Sequence, residues 1–143
     1  MKNLNIDFGF ETDNSSKSFV KSSEKLDYGS EMLNRLVDDS INHTVGHLEK
    51  FDIDQCFNGG KPVYFEAENL PELIDFVKSI KSKISSILLY VNQAASISKI
   101  ESVIKSIIPY CTEDCVEMGR ILFAYPDKII VNVKKYRIMF LCK

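Results

Sequence analysis

The chain has 143 residues, 45% of them apolar, and a formal charge of −2. That length suits a single domain with a core region of about 80 to 90 residues. No run approaches the roughly 20 apolar residues of a membrane span, Met1-Lys2-Asn3-Leu4 opens no secretory segment, and the charge gives nucleic acid no broad basic surface, so a soluble, cytoplasmic protein is expected. The charge is uneven. Residues 1–60 hold 6 Lys/Arg against 11 Asp/Glu, and residues 61–143 hold 12 against 9. This is the pattern of an acidic leader ahead of a mildly basic domain.

In chain order, residues 1–10 place Met1, Leu4 and Phe8 on one helical stripe, interrupted at Gly9. They read as a short terminal anchor or a frayed end, with weak membrane affinity because Lys2 is the only basic residue. Residues 12–30 hold too few large apolar side chains to offset the entropy of ordering, and disorder is expected. From Ser30, a capping residue, Leu33, Leu36 or Val37, Ile41, Val45 and Leu48 repeat at helical spacing, predicting a helix that ends near Lys50. Asn58-Gly59-Gly60 is the clearest turn signal, and Lys61–Glu66 after it reads as a first strand. The domains are thus read as a leader over 1–30, helix and linker over 31–59, and an α/β core over 60–143.

Asn69 can cap a helix with Pro71 in its first turn and Leu73, Ile74, Phe76, Val77 and Ile80 on its buried face. Ile84–Val91 is an apolar run suited to a central strand. Ser96 or Ser98 opens a second helix through Ile97, Ile100, Val103 or Ile104, and Ile107, stopped at Pro109. Met118–Lys143 is the densest run of strand formers and is read as three extended pieces: one through Tyr125 to the break at Pro126-Asp127, one over Ile129–Val133, and one over Tyr136–Cys142. The expected fold is a compact sheet of about five strands with two helices on one face, preceded by a disordered leader and an extra helix. The opposite face would need either the 31–49 helix or a second copy of the chain to cover it. At about 25 cal/mol per Å2 of apolar surface, such a face favours a homodimer or higher oligomer.

Catalytic signatures are missing: there is no G-x-S-x-G, Walker loop, G-x-G-x-x-G or H-E-x-x-H. The acidic pairs Glu66/Glu68 and Glu113/Asp114 have no neighbouring His or Lys to complete an acid/base set. Among Cys56, Cys111, Cys115 and Cys142, only Cys111 and Cys115 are close, as C-x3-C, and they read as reduced thiols. The i,i+4 pair His43 and His47 reads as solvent-facing. No catalytic residue, metal or cofactor is therefore expected. Lys134, Lys135, Arg137 and Lys143 make only a small basic patch, and no nucleic-acid partner is expected.

Residues 61–133 resemble, in order, the core domain of the SepF family of cytoplasmic division proteins, which tie the FtsZ ring to the membrane. The resemblance is carried by Leu122-Phe123-Ala124-Tyr125-Pro126-Asp127-Lys128-Ile129-Ile130-Val131, by Ile87-Leu88-Leu89-Tyr90-Val91-Asn92, and by Ile100-Glu101-Ser102-Val103-Ile104. Phe8-Gly9-Phe10-Glu11 is similar to the end of that family's membrane anchor. The chain departs from the family at Pro109-Tyr110-Cys111-Thr112, which lacks the family's glycine turn, and in continuing through Tyr136–Cys142. The resemblance implies a non-enzymatic homodimeric scaffold at the inner face of the membrane at the division site. It implies a membrane anchor at Met1, Leu4, Ile6 and Phe8, and an FtsZ-type C-terminal tail bound around Ile100, Ile104, Gly119, Leu122 and Phe123. A one-residue register shift would exchange the buried and exposed faces of Leu122 and Phe123. The alternative reading is a small regulatory ligand-binding domain with a ferredoxin-like or tubulin-C-terminal-like sheet.

Overall fold

In the computed structural model, which describes residues 28–42, 44–45, 48–93, 97–126 and 128–143, the first elements are α1 (Glu31–Ile41), β1 (Thr44–Val45), α2 (Lys50–Phe57), β2 (Val63–Ala67) and α3 (Leu70–Ser79). They are followed by β3 (Ile84–Val91), α4 (Ile97–Ile107), α5 (Glu113–Glu117), β4 (Ile121–Pro126) and β5 (Tyr136–Cys142). The chain is an α/β protein. Four long strands and the two-residue β1 form one sheet in the order β1-β4-β3-β5-β2.

Local signals explain several element starts. The Ser30 side chain accepts from the Leu33 N–H at 3.2 Å to begin α1. Asn69 accepts from the Glu72 N–H at 2.9 Å, and Pro71 fits the first turn of α3, where its missing N–H is no loss. β3 is apolar on both faces because it is covered on both. Ile87, Leu89 and Val91 face Leu73 and Val77 of α3 and Ile100, Val103 and Ile107 of α4. Leu88 and Tyr90 face Leu33, Leu36 and Val37 of α1 and Ile53 and Phe57 of α2. The sheet face for which a second copy of the chain was one expected cover is thus filled by the chain's own first two helices. The reason for expecting association through that face disappears.

β3 and β4 are parallel neighbours joined by α4. β2 runs in the same direction as β3, but β5 lies between them, antiparallel to both. The β2-α3-β3 unit is therefore a split β-α-β crossover that leaves a slot for the last strand.

Before β2 the structure differs from the sequence reading at three places. The helix expected over 31–49 ends at Ile41, where Asn42 Nδ2 donates back to Asp38 at 2.9 Å and the chain enters β1. The stretch read as a linker contains α2, which buries only Ile53 and Phe57, a stripe too narrow to stand out in the sequence. Tyr28 belongs to the same cluster, and its hydroxyl donates to Asp54, so residue 28, ahead of the expected start of the core near 60, is already packed.

Ile129–Val133, read as a strand, is instead a loop. Asn92, just after β3, explains it. Its Nδ2 donates to the Ile130 carbonyl and its Oδ1 accepts from the Ile130 N–H, both at 2.9 Å, while Asn132 adopts φ 67°. A side chain has taken both backbone groups that a ladder would need. Replacing Asn92 by Ala should therefore cost about 1–3 kcal/mol and speed hydrogen exchange at the Ile130 amide. Unchanged exchange would show that other contacts hold the loop.

Candidate functional site

β4 has an outer edge that the two-residue β1 covers only in part. Ile87–Tyr90 of β3 pair with Ile121–Ala124 on its inner side. On its outer side β1 reaches only Tyr125 and Pro126. Among the described residues, no strand pairs with the outer side of Ile121–Ala124. That stretch holds no Lys or Pro, the residues with which edges are commonly blunted.

Alternation along β4 sorts its side chains. Ile121 and Tyr125 are half-buried against the α3/α4 layer, while Leu122 and Ala124 pack with the α1/α2 layer. Phe123 falls on the α3/α4 side between Ile121 and Tyr125, and 39% of its surface is exposed. A large aromatic ring therefore stands in solvent beside a row of unpaired peptide groups. On the same sheet side, Ile104 of α4 is half-buried against the core.

The five residues expected to form a partner surface are thus separated. Ile100 is fully buried under α4 and cannot touch a partner in this fold. Leu122 faces the opposite side of the sheet from Phe123. Gly119 has φ 67° at the turn into β4 and shapes the approach to the strand, although a Cβ there would meet nothing within 4 Å. Phe123 and Ile104 remain on one side of the sheet, as do Ile121 and Tyr125, which the sequence reading passed over as partner residues. The i,i+2 alternation around Phe123 was the signal that could have found them. Met1, Leu4, Ile6 and Phe8, and the pair His43 and His47, lie outside the described residues. No described helix is long and apolar enough to cross a membrane.

A second polar constellation lies on the α1 side. Arg137, read from the sequence as part of a basic surface patch, is completely buried. Its Nη1 donates to Asp39 Oδ2 at 2.9 Å and its Nε to the Tyr64 hydroxyl at 3.1 Å. Tyr64 in turn donates to Glu66 Oε2 at 2.7 Å, and the guanidinium lies 5.2 Å from the centroid of the Tyr90 ring. Burial opposes the Arg137 charge, but the bonds to Tyr64 and Asp39 outweigh it and raise its pKa. Burial, reinforced by Glu66, pushes the Tyr64 hydroxyl up to about 12. These shifts keep Arg137 a cation and Tyr64 a neutral phenol near neutral pH. The cluster's role is to join α1 to β5 and β2.

The basic patch is reduced to the lysines. Among the described residues, no three His, Cys, Asp or Glu side chains converge as metal ligands. All four cysteines are free thiols: Cys111 and Cys115 buried, Cys56 half-buried and Cys142 exposed.

No family model and no curated protein matches the sequence. Among solved structures, an empty FtsZ dimer from M. jannaschii is similar over 78% of this chain and 38% of that one, at 9% identity and a TM-score of 0.48. The chain thus spans well under half the length of that structure, and the likeness is too slight to bear on function.

Proposed function

We propose that the chain is a non-enzymatic adaptor that takes up an extended apolar peptide along the free edge of β4, with Phe123 as the anchoring side chain. The observation that carries this reading is the coincidence of an unpaired, unblunted strand edge with an exposed aromatic ring on the same four residues. Strand addition would satisfy the open peptide groups of Ile121–Ala124, and the Phe123 side of the strand would read alternate side chains of the guest. The SepF resemblance supplies the candidate guest, the C-terminal tail of an FtsZ-type polymer. It also supplies a role for the leader, with Met1, Leu4, Ile6 and Phe8 touching a membrane surface. The adaptor would then act as a division-site scaffold, and a homodimer would present two such edges to the polymer.

Calorimetric titration of the full-length protein with an FtsZ C-terminal tail peptide tests the reading. Binding is expected, and Phe123→Ala should weaken it about tenfold or more, the usual cost of losing an aromatic anchor. Because Phe123 is substantially exposed, the melting temperature should move by only about 2 °C. A peptide N-methylated at alternate amides should lose binding if the guest adds as a strand. No heat with the unmodified peptide, or equal binding by Phe123→Ala, refutes the edge-docking assignment. Co-sedimentation with anionic vesicles, comparing full-length protein with a chain starting at Tyr28, tests the leader separately.

A further inference from the structure

The loop that leads into β5 presents two aliphatic side chains that the core does not take up. Ile129 and Val131 keep 59% and 75% of their surface exposed, while Ile130 between them packs against the α1/α2 layer. Asn92 holds the loop at two points. Its side chain bonds both backbone groups of Ile130, and its own backbone N–H donates to the Lys135 carbonyl at 2.7 Å. Asn132, with φ 67°, turns the chain just beyond Val131. The exposed pair therefore stands on a backbone already ordered by the fold, and docking it costs little further entropy.

The charge around these tips has one dominant sign. Residues 128–135 hold Lys128, Lys134 and Lys135 and no acidic residue, and Asp127 just before them offsets one of the three charges. Lys128 is exposed, Lys134 and Lys135 are half-buried, and the Lys135 Nζ lies 5.8 Å from the centroid of the Tyr136 ring. Residues 128–135 contain no aromatic residue and no Arg, the side chains that anchor protein interfaces, and they are rich in Lys, which such interfaces avoid. A lipid surface fits them better. Aliphatic tips enter the acyl boundary of a bilayer, and ammonium groups beside them meet its anionic headgroups.

We propose that the 128–135 loop is a membrane-contact site of the folded domain, seating Ile129 and Val131 in an anionic lipid surface with Lys128, Lys134 and Lys135 at the headgroups. The contact is separate from the leader and does not rest on peptide docking at β4. It also sets how the domain stands on the membrane. The loop enters β5 at Tyr136, whereas Gly60 lies against Leu141 near the other end of that strand. The groove of Tyr28, Phe51 and Gly59 beside Gly60 would therefore stand about 20 Å from the lipid, roughly the length of a strand of this size.

The chain has no tryptophan, so a single introduced indole reports its own surroundings. Ile129→Trp and, at the far end, Phe51→Trp, which replaces a side chain 68% exposed, are made in the full chain carrying Leu4→Ser, Ile6→Ser and Phe8→Ser, so that the leader cannot supply the binding. Each is mixed with vesicles of phosphatidylcholine and phosphatidylglycerol in equal parts, and with vesicles of phosphatidylcholine alone. On the mixed vesicles, the Ile129→Trp emission should shift to the blue and be quenched by lipids brominated along the acyl chain, while the Phe51→Trp emission stays unchanged. Phosphatidylcholine alone should give a much smaller shift, and added salt should reverse the one seen on mixed vesicles. In co-sedimentation in the same leader-substituted chain, Ile129→Ser with Val131→Ser should lower partitioning about tenfold and leave the melting temperature unchanged, because neither side chain is buried. Unmoved Ile129→Trp emission on the mixed vesicles overturns the proposal, and is the result expected if the loop serves a protein partner instead. Equal partitioning by the double serine variant overturns it too. Docking at β4 is read separately, by the tail-peptide titration.

Discussion

A chain truncated to residues 60–143 will not fold cooperatively. The cut removes α1 and α2 and uncovers Leu88, Tyr90 and Met139, none of which retains exposed surface in the intact fold, along with nearly buried Ala124. Burial of each large apolar side chain is worth about 1.5–3 kcal/mol, and a domain's whole stability is about 5–15 kcal/mol. Losing this layer therefore consumes most of the available stability. The cut also takes Asp39 away from Arg137. A chain starting at Tyr28 keeps the layer and should melt with a single sharp transition. Thermal unfolding followed by circular dichroism, with dispersion of amide proton shifts as a second readout, distinguishes the two chains. A sharp transition in the 60–143 chain would mean that the first two helices are an appendage.

Asp39→Ala should destabilise the intact protein by about 3–5 kcal/mol, the usual effect of leaving one member of a buried ion pair alone. Arg137 has no exposed surface, and its Nη2 already lacks a hydrogen-bond partner. Removing Asp39 would strip Nη1 as well, leaving Tyr64 as the remaining hydrogen-bond acceptor for a buried cation. The reverse change, Arg137→Met, should cost less, because Asp39 keeps 17% of its side-chain surface and can turn toward water. The double variant Arg137→Met with Asp39→Ala should lose much less than the sum of the two single losses, since no charge is then stranded. Urea unfolding of the four proteins measures the coupling. Additive losses would show that the pair is already solvated and contributes little.

Much of the fold was legible where one local cause dominates. Ile84–Val91 could be read because its apolar run is uninterrupted, and α3 because Asn69 and Pro71 mark its start while Leu73 and Val77 fix its face. The misreadings have physical reasons of another kind. The apolar run at Ile129–Val133 obeyed strand propensity, but Asn92, distant in sequence, holds its backbone, and Ile129 and Val131 end up exposed. Arg137 reads as a surface residue beside Lys134 and Lys135, and only the approach of Asp39 from α1 allows its burial. Of the partner residues, Phe123 was visible as a large side chain in a strand. Its outward direction depends on the register that pairs Leu122 with Leu88 and Phe123 with Leu89.

The slot between β2 and β3 also sets an order of events during synthesis. β5 fills it, pairing with β2 from Val63↔Phe140 to Ala67↔Tyr136 and with β3 along most of its length. Both neighbours emerge from the ribosome long before the strand that separates them. Until residue 142 is free, β2 and β3 lie on either side of a gap whose filling strand is missing, and contacts of such long sequence separation are slow to form. The nascent chain therefore passes through an interval in which its two helical layers have no continuous floor. A chaperone that shields unpaired strands would act in that interval, and a ribosome stalled just before residue 136 would hold the chain in it.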